Sequence, residues 1–364
     1  MRTLSAWAEV RGGADAFVSD AGTRTFAELD ANANRLARAL RRRGLTEGDA
    51  VALVCGNRPE FAEVYFACQR AGLRLTPINW HLAADEVAYI VGDCEARALV
   101  VDAATHAPVD AARRAPGCLV GLAVGGALEG FEDYEAAIAG EDGARLADPS
   151  LGATMLYTSG TTGRPKGVFR EQPASTALAT ANLGGYAEDG GDVHLCTGPL
   201  YHAAPLAFSL AAPLAWGATV VVMDRFDAER ALALVESAGV THTHMVPTMF
   251  HRLLSLPDET RERYDVSTLR LILHGAAPCP VSVKRRLLEW LGPIVWEYYA
   301  ATEGVGSVVD PATWLAHPGT VGRPITPDQV RIGDEEGRAL AAGEVGLVYL
   351  KAPDVGRFSY FKDA

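Results

Sequence analysis

The chain has 364 residues, 49% hydrophobic and 21% charged, with a formal net charge of −12. Its size allows two or three domains or subdomains around large apolar cores, and the composition is globular rather than fibrous or disordered. The acidity argues against a general nucleic-acid binder or an anionic-membrane binder, both of which need a basic surface.

The amino terminus lacks an apolar signal core, and no stretch approaches about eighteen apolar residues free of charge or glycine. Six cysteines, at 55, 68, 94, 118, 196 and 279, form no CxxC pair and fall mostly in apolar stretches. That pattern predicts reduced thiols and a cytoplasmic protein without a membrane span.

In chain order, TFAELDANANRLARALRRRG (25–44) opens with Thr25 and Glu28 at capping-box spacing. Leu29, Ala33, Leu36, Ala37 and Leu40 then recur at helical spacing, which predicts an amphipathic helix. The run Arg41, Arg42, Arg43 reads as its solvated end. AVALVCG (50–56) reads as a buried strand, PEFAEVYFACQRAG (59–72) as a helix with proline in its first turn, and LRLTPIN as another strand. Helix and strand alternate again from Asp85 to Val101. This rhythm predicts an α/β protein with mostly parallel sheets.

From about 103 to 150 the chain is rich in Ala, Gly and acidic residues and reads as a connecting region. A second alternation follows: strand ATVVVMD (218–224), helix DAERALALVESAG, strand LRLILHG (269–275) and helix VSVKRRLLEWLG. The last stretch, VRIGDEEGRALAAGEVGLVYLKAP, has short strands and glycine turns, as a small β subdomain would. No internal repeat is present.

LYTSGTTGRPKGV (156–168) concentrates glycines, hydroxyls and one lysine after a strand pattern. A phosphate cradle needs this chemistry: backbone N–H groups near the anion and a mobile positive charge. The P-loop GxxxxGK[ST] does not fit. Counting from Gly160, Pro165 takes the sixth position and Gly167 follows Lys166, so the Gly-Lys pair and the metal-binding hydroxyl are both out of place.

YTSGTTGRPKG (157–167) resembles the signature of the adenylate-forming enzymes. PLYHAAP (199–205), HGAAPCP (274–280), YYAATEG (298–304), GTVGRP (319–324) and GEVGLVYLKAP (343–353) are similar to the family's later segments, in its order. THTHMVPTMFHRLL and the closing YFKDA tilt the resemblance toward the acyl-CoA synthetase branch. The implied fold is the large amino-terminal α/β domain over residues 1–364: two mostly parallel helix-flanked sheets plus a small β subdomain, with approximate subdomains 1–150, 151–318 and 319–364.

The implied activity is ATP-dependent activation of a carboxylic acid as an acyl-adenylate, with release of pyrophosphate and then transfer to a thiol, normally of coenzyme A. Positioning and charge neutralisation dominate such chemistry. The resemblance assigns Thr158, Ser159, Gly160, Thr161, Thr162, Gly163 and Lys166 to the phosphates. Glu303, with Thr158 nearby, is assigned to Mg²⁺, and Thr302 to the α-phosphate side. Gly275, Ala276, Ala277 and Tyr299 line the adenine. Tyr201, His202, His244, Phe250, His274, Ala300 and Ala301 fall at the acyl pocket, and Lys166, Thr302, Glu303 and His202 form the catalytic set.

His242 and His244 share a strand face but lack companions at ligand spacing and are not read as a metal site. Trp290 and Trp296 are read as core. Ala300 stands where the family usually has glycine, and its methyl should narrow the space near the substrate. The family's smaller mobile domain, with its adenylation lysine, has no counterpart within 364 residues, so this chain is expected to bind ATP and acid weakly and to form adenylate slowly. Two alternatives stay open: a ligase using another acceptor or a non-carboxylate group, and a non-catalytic nucleotide- or acyl-binding protein. A homodimer also stays open.

Overall fold

The computed structural model describes residues 1–105, 109, 115, 117–158, 164–170, 185–326, 329–351 and 357–362. Its contacts divide the chain into two compact units, one made of Met1–Arg225 and Ser359–Ala364 and the other of Phe226–Phe358.

The first unit holds a six-stranded sheet in the order Glu132–Asp133, Val120–Val124, Ala96–Asp102, Ala50–Val54, Arg74–Pro77, Ala153–Thr154. Every adjacent pair in it is parallel. Ala50–Val54 is buried along its whole length, as a central parallel strand covered on both faces must be. A second set of strands, Val193–Cys196, Thr219–Val222 and Asp15–Ser19, is parallel, and Gly22–Thr25 closes it as an antiparallel hairpin.

Helix Phe26–Arg42 forms as its pattern predicts. Glu28 N donates to Thr25 Oγ1, and the Glu28 carboxylate accepts from Thr25 N, so two orphan N–H groups at the helix start are satisfied. Its apolar stripe packs on helix Pro59–Ala71, which begins with proline and ends at Gly72 in the left-handed region, φ 72°.

One sequence expectation is extended here and another corrected. The Arg41–Arg43 run does close the helix at the surface, and its heads also find partners there. Arg41 pairs with Asp148 at 2.8 Å, Arg42 with Glu141 at 2.5 Å and Arg43 with Glu132 at 2.5 Å, while Arg38 donates to the carbonyls of Asp142 and Ala144. The region from 103 to 150 is not simply a connection, because it supplies strands Val120–Val124 and Glu132–Asp133 and helix Tyr134–Ala139. A guanidinium can reach a carboxylate on a neighbouring edge strand, and sequence spacing does not reveal that neighbour.

In the second unit, His242–Met245, Leu271–His274 and Val295–Ala301 are parallel. Gly304–Val309 and Arg323–Pro324 continue antiparallel, and Val330–Gly333 pairs with Leu347–Leu350 as a separate hairpin. Helices Ala228–Ala238 and Val281–Leu291 accompany the parallel strands. Trp290 and Trp296 are only half-buried, contrary to expectation. Trp7 and Trp314 are the buried tryptophans, the first in unit one and the second in unit two. Among the described residues no helix is long and apolar enough to cross a membrane.

Candidate functional site

In the first unit, strands Leu156–Thr158 and Lys166–Arg170 form an antiparallel hairpin whose register places Lys166 directly opposite Thr158. Side chains so paired stand about 5 Å apart at Cβ. The hydroxyl and the ammonium therefore flank the two ends of the glycine-rich loop. Ser159, Gly160, Thr161, Thr162 and Gly163 lie outside the described residues.

Helix Ala84–Asp93 anchors the hairpin. Tyr157 OH donates to Asp93 at 2.5 Å, Tyr89 OH donates to Pro165 O at 3.3 Å, and the Arg164 guanidinium lies 5.6 Å from the Tyr89 ring centre. Burial and the Asp93 carboxylate push the Tyr157 phenol well up, so Tyr157 stays a donor.

Tyr201 and His202 follow strand Val193–Cys196 and are positioned by Asn57, which is 7% exposed. Asn57 Nδ2 donates to Gly198 O at 3.0 Å and Met223 O at 2.9 Å, and Leu200 N donates to Asn57 Oδ1 at 2.9 Å. One amide thus fixes the segment before Tyr201. Beyond it, Pro205–Ala211 forms a wide π-type helix, a distortion common at functional sites. Tyr201 is buried. His202 is exposed overall, but its ring packs edge-on against Tyr201 at 4.6 Å, and lost hydration lowers its pKa.

In the second unit, Leu271–His274 runs into the strip Gly275, Ala276, Ala277. A Cβ on Gly275 would come within 2.5 Å of the Tyr298 ring, so only glycine lets the strip lie against that tyrosine. Ala276 has φ 66°, a strained conformation for a residue with a Cβ, at the position where the sequence resemblance puts the adenine. Strands Val295–Ala301 and Gly304–Val309 are joined by Thr302 and Glu303, so the hydroxyl and the carboxylate sit together at the tip of the turn. The pairing register shifts between Tyr299 and Ala300. Such a bulge re-aims side chains, and Tyr299 is 41% exposed while Tyr298 is buried. Ala300 has no positive φ, so its methyl strains nothing in the backbone. Ala301 ends the strand, exposed.

His244, Phe250 and His274 are all buried, and the structure brings them together in this unit. Phe250 and His274 meet edge to face at 5.1 Å. His244 Nε2 and Tyr298 OH are 2.9 Å apart. Burial lowers the His244 pKa to about 4. Burial, then the Lys284 charge and His244, lower that of His274 to about 2, so both rings are neutral.

Neither His274 ring nitrogen has a hydrogen-bond partner among the described residues, although Nε2 lies 3.5 Å from Glu297 Oε2. The same carboxylate oxygen accepts from Lys284 Nζ at 2.6 Å, and that ammonium sits 5.0 Å from the Trp314 ring centre. The sequence reading missed Asn57, Lys284, Glu297 and Tyr298. For Lys284 a signal existed: with Leu287, Leu288 and Leu291 it lies at i, i+3, i+4 and i+7, on the apolar stripe of its helix.

The family model for AMP-binding enzymes matches residues 4–360. The chain is 31% identical over 337 residues to the indoleacetate–CoA ligase of Aromatoleum aromaticum, covering 91% of this chain and 66% of that protein. It is 32% identical over 341 residues to the feruloyl-CoA synthase of an Amycolatopsis species, covering 91% and 65%. The chain therefore spans just under two thirds of the length of either curated relative. The crystal structure of the anthranilate CoA ligase AuaEII with anthranoyl-AMP superposes with a TM-score of 0.88 at 23% identity, over 100% of this chain and 72% of that one, a likeness of fold.

Proposed function

Because the chain belongs to the AMP-binding enzyme family, we propose that it activates a carboxylic acid with ATP. The acid's carboxylate oxygen attacks the α-phosphorus, the bond to the bridging oxygen breaks, and pyrophosphate leaves, giving an acyl-adenylate. In the whole protein a thiol, that of coenzyme A by analogy with both curated relatives, then attacks the acyl carbon and AMP leaves. The AMP-binding domain is taken to extend over 1–364, with subdomains near 1–150, 151–318 and 319–364.

The observation that carries this reading is the hairpin register that sets Lys166 opposite Thr158 across the glycine-rich loop. In that role Lys166 and the loop, Ser159 to Gly163 included, bind the β- and γ-phosphates. Thr302 contacts the α-phosphate, and Gly275, Ala276, Ala277 and Tyr299 hold the base. Tyr201, His202, His244, Phe250, His274, Ala300 and Ala301 are the residues the resemblance assigns to the acyl group. His202, neutral through its lowered pKa, serves as a gate or as a donor to the carboxylate.

The donor chemistry fits Mg²⁺ carried in with ATP. Among the described residues no group of three or more His, Cys, Asp or Glu side chains could cage a metal ion. Mg²⁺ keeps waters and phosphate oxygens and needs only one or two protein oxygens, such as the Glu303 carboxylate and the Thr158 hydroxyl. When bound, it would neutralise charge on the phosphates. Both curated relatives are named for aromatic acids, which supports an aromatic or medium apolar acid as the substrate.

ATP–pyrophosphate exchange with pooled aliphatic, aromatic and amino acids tests the reading. The expected result is exchange above background with the aromatic pool, lost in Lys166→Ala and Glu303→Ala. Exchange that persists undiminished in Glu303→Ala would overturn the metal assignment. MgATP binding without exchange in any pool would favour a nucleotide-binding protein.

A further inference from the structure

Strand Lys166–Arg170 has two edges. One pairs with Leu156–Thr158, and the other is taken by Phe358–Tyr360, a segment almost two hundred residues further along the chain. Five further contacts fasten this tail. Phe361 N donates to Gly167 O at 2.8 Å. The Phe361 ring lies 5.6 Å from that of Phe169 and 4.7 Å from the Arg74 guanidinium carbon. Lys362 Nζ donates to Asp93 O at 2.8 Å and pairs with Glu95 at 3.1 Å. Asp93 also accepts from Tyr157, so the tail and the hairpin strand Leu156–Thr158 share one anchoring helix end. Thus fastened, the tail brings the Tyr360 ring centre to 5.2 Å from Lys166 Nζ.

We propose that Tyr360 is a positioning residue for Lys166, holding its ammonium over the ring so that it is presented to the phosphates of a nucleoside triphosphate. This rests on the reading of Lys166 as the phosphate-binding cation. A lysine head on four flexible carbons loses rotamer freedom whenever it meets an anion, and a preset head loses less on binding. An aromatic face suits this task better than a carboxylate. It attracts the cation through the ring quadrupole without neutralising it. Tyr360 is half-buried and Lys166 likewise, which keeps the interaction partly shielded.

The test is equilibrium binding of MgATP and of AMP to the full chain and to Tyr360→Leu, Tyr360→Phe, Lys166→Ala and the Tyr360→Leu/Lys166→Ala pair. Tyr360→Leu should weaken MgATP about two- to fivefold, the range of an exposed to half-shielded cation–π contact. It should leave AMP, which lacks the β- and γ-phosphates, unchanged. Tyr360→Phe should bind as the unsubstituted chain does, and Tyr360→Leu should add nothing once Lys166 is alanine. Equal weakening of MgATP and AMP would mean a disturbed strand, and additive losses in the double variant would mean that Tyr360 acts independently of Lys166. Tighter MgATP binding by Tyr360→Leu would mean that the ring competes with phosphate. Each of these overturns the proposal while sparing the reading of Lys166. No MgATP binding by the unsubstituted chain would overturn that reading, and the role of Tyr360 with it.

Discussion

The hairpin that carries Lys166 and the cluster around Lys284 each centre on one lysine, and they use it in opposite ways. Lys166 is half-buried at the start of an edge-paired strand, its head over an aromatic ring and next to a loop. Lys284 is completely buried, bonded to Glu297 at 2.6 Å, with Trp314 behind it. Burial lowers the Lys284 pKa, and the Glu297 hydrogen bond and charge offset part of that shift. A cation kept near water is available to an anionic ligand, whereas a cation sealed with its counter-ion is committed to structure. Substitution should separate the two lysines along those lines.

The largest stability effect is expected at the sealed site. Lys284→Met strands a buried carboxylate and should cost about 3–5 kcal/mol in urea unfolding, while Lys284→Met with Glu297→Leu should recover much of that loss. A double variant as unstable as the single one would show that packing, and not the unpaired charge, sets the cost. The Lys166 site should respond in the other way. Lys166→Ala is expected to slow pyrophosphate exchange about 10²–10³-fold, as loss of a preorganised charge does, with stability within about 0.5 kcal/mol of the parent. A large drop in stability there would erase the contrast.

Two buried imidazoles of the second unit, His244 and His274, give a pH test. His244 has a folded pKa of about 4 against an ordinary 6.5. At pH 7 it is neutral in both states and the full stability is present. As pH falls below 6.5 the unfolded chain gains a proton that the folded chain refuses, and stability drops until pH nears 4. His244 alone should contribute a loss of about 3 kcal/mol across that window, and His274, lowered further, adds in the same direction. His244→Asn should flatten the acid limb of the stability profile, and an unchanged slope would show that this ring is not the group titrating. The smallest effect concerns the glycine strip. Gly275→Ala must push back the Tyr298 ring or the strip itself and should cost about 1–3 kcal/mol. AMP binding should weaken alongside, because the displaced residues are those assigned to the adenine.

Much of this was legible in one dimension. The capping box at Thr25 and Glu28 formed, and the strands and helices from Ala50 to Asp102 appear in the expected alternation. The strand before the glycine-rich loop and the Thr-Glu turn also lie in the segments that drew attention. Local periodicity and local backbone chemistry suffice for such features, because the interacting groups are only a few residues apart.

Partners far apart in sequence were not legible. The three arginines at 41–43 close their helix at the surface as expected, but their partners lie about ninety to a hundred and ten residues away and were not predictable. Asn57 lies between a strand and a helix pattern and carried no signal, yet it holds the chain before Tyr201. Lys284 alone carried a warning, a charge on the apolar stripe of its helix, but nothing in the sequence pointed to Glu297 as its counter-ion.

The sequence by itself determined the repertoire of elements, the glycine and hydroxyl chemistry of the loop, and the residue types available to hold a polyanion. Only the tertiary structure decided which lysine faces a ring near water and which is sealed against a carboxylate, and which strand edge the tail at 358–360 occupies. The reason is physical. Helix and strand signals arise between near neighbours in the chain, whereas burial and hydrogen-bond partnership are settled by which surfaces the packed sheets and helices exclude from water.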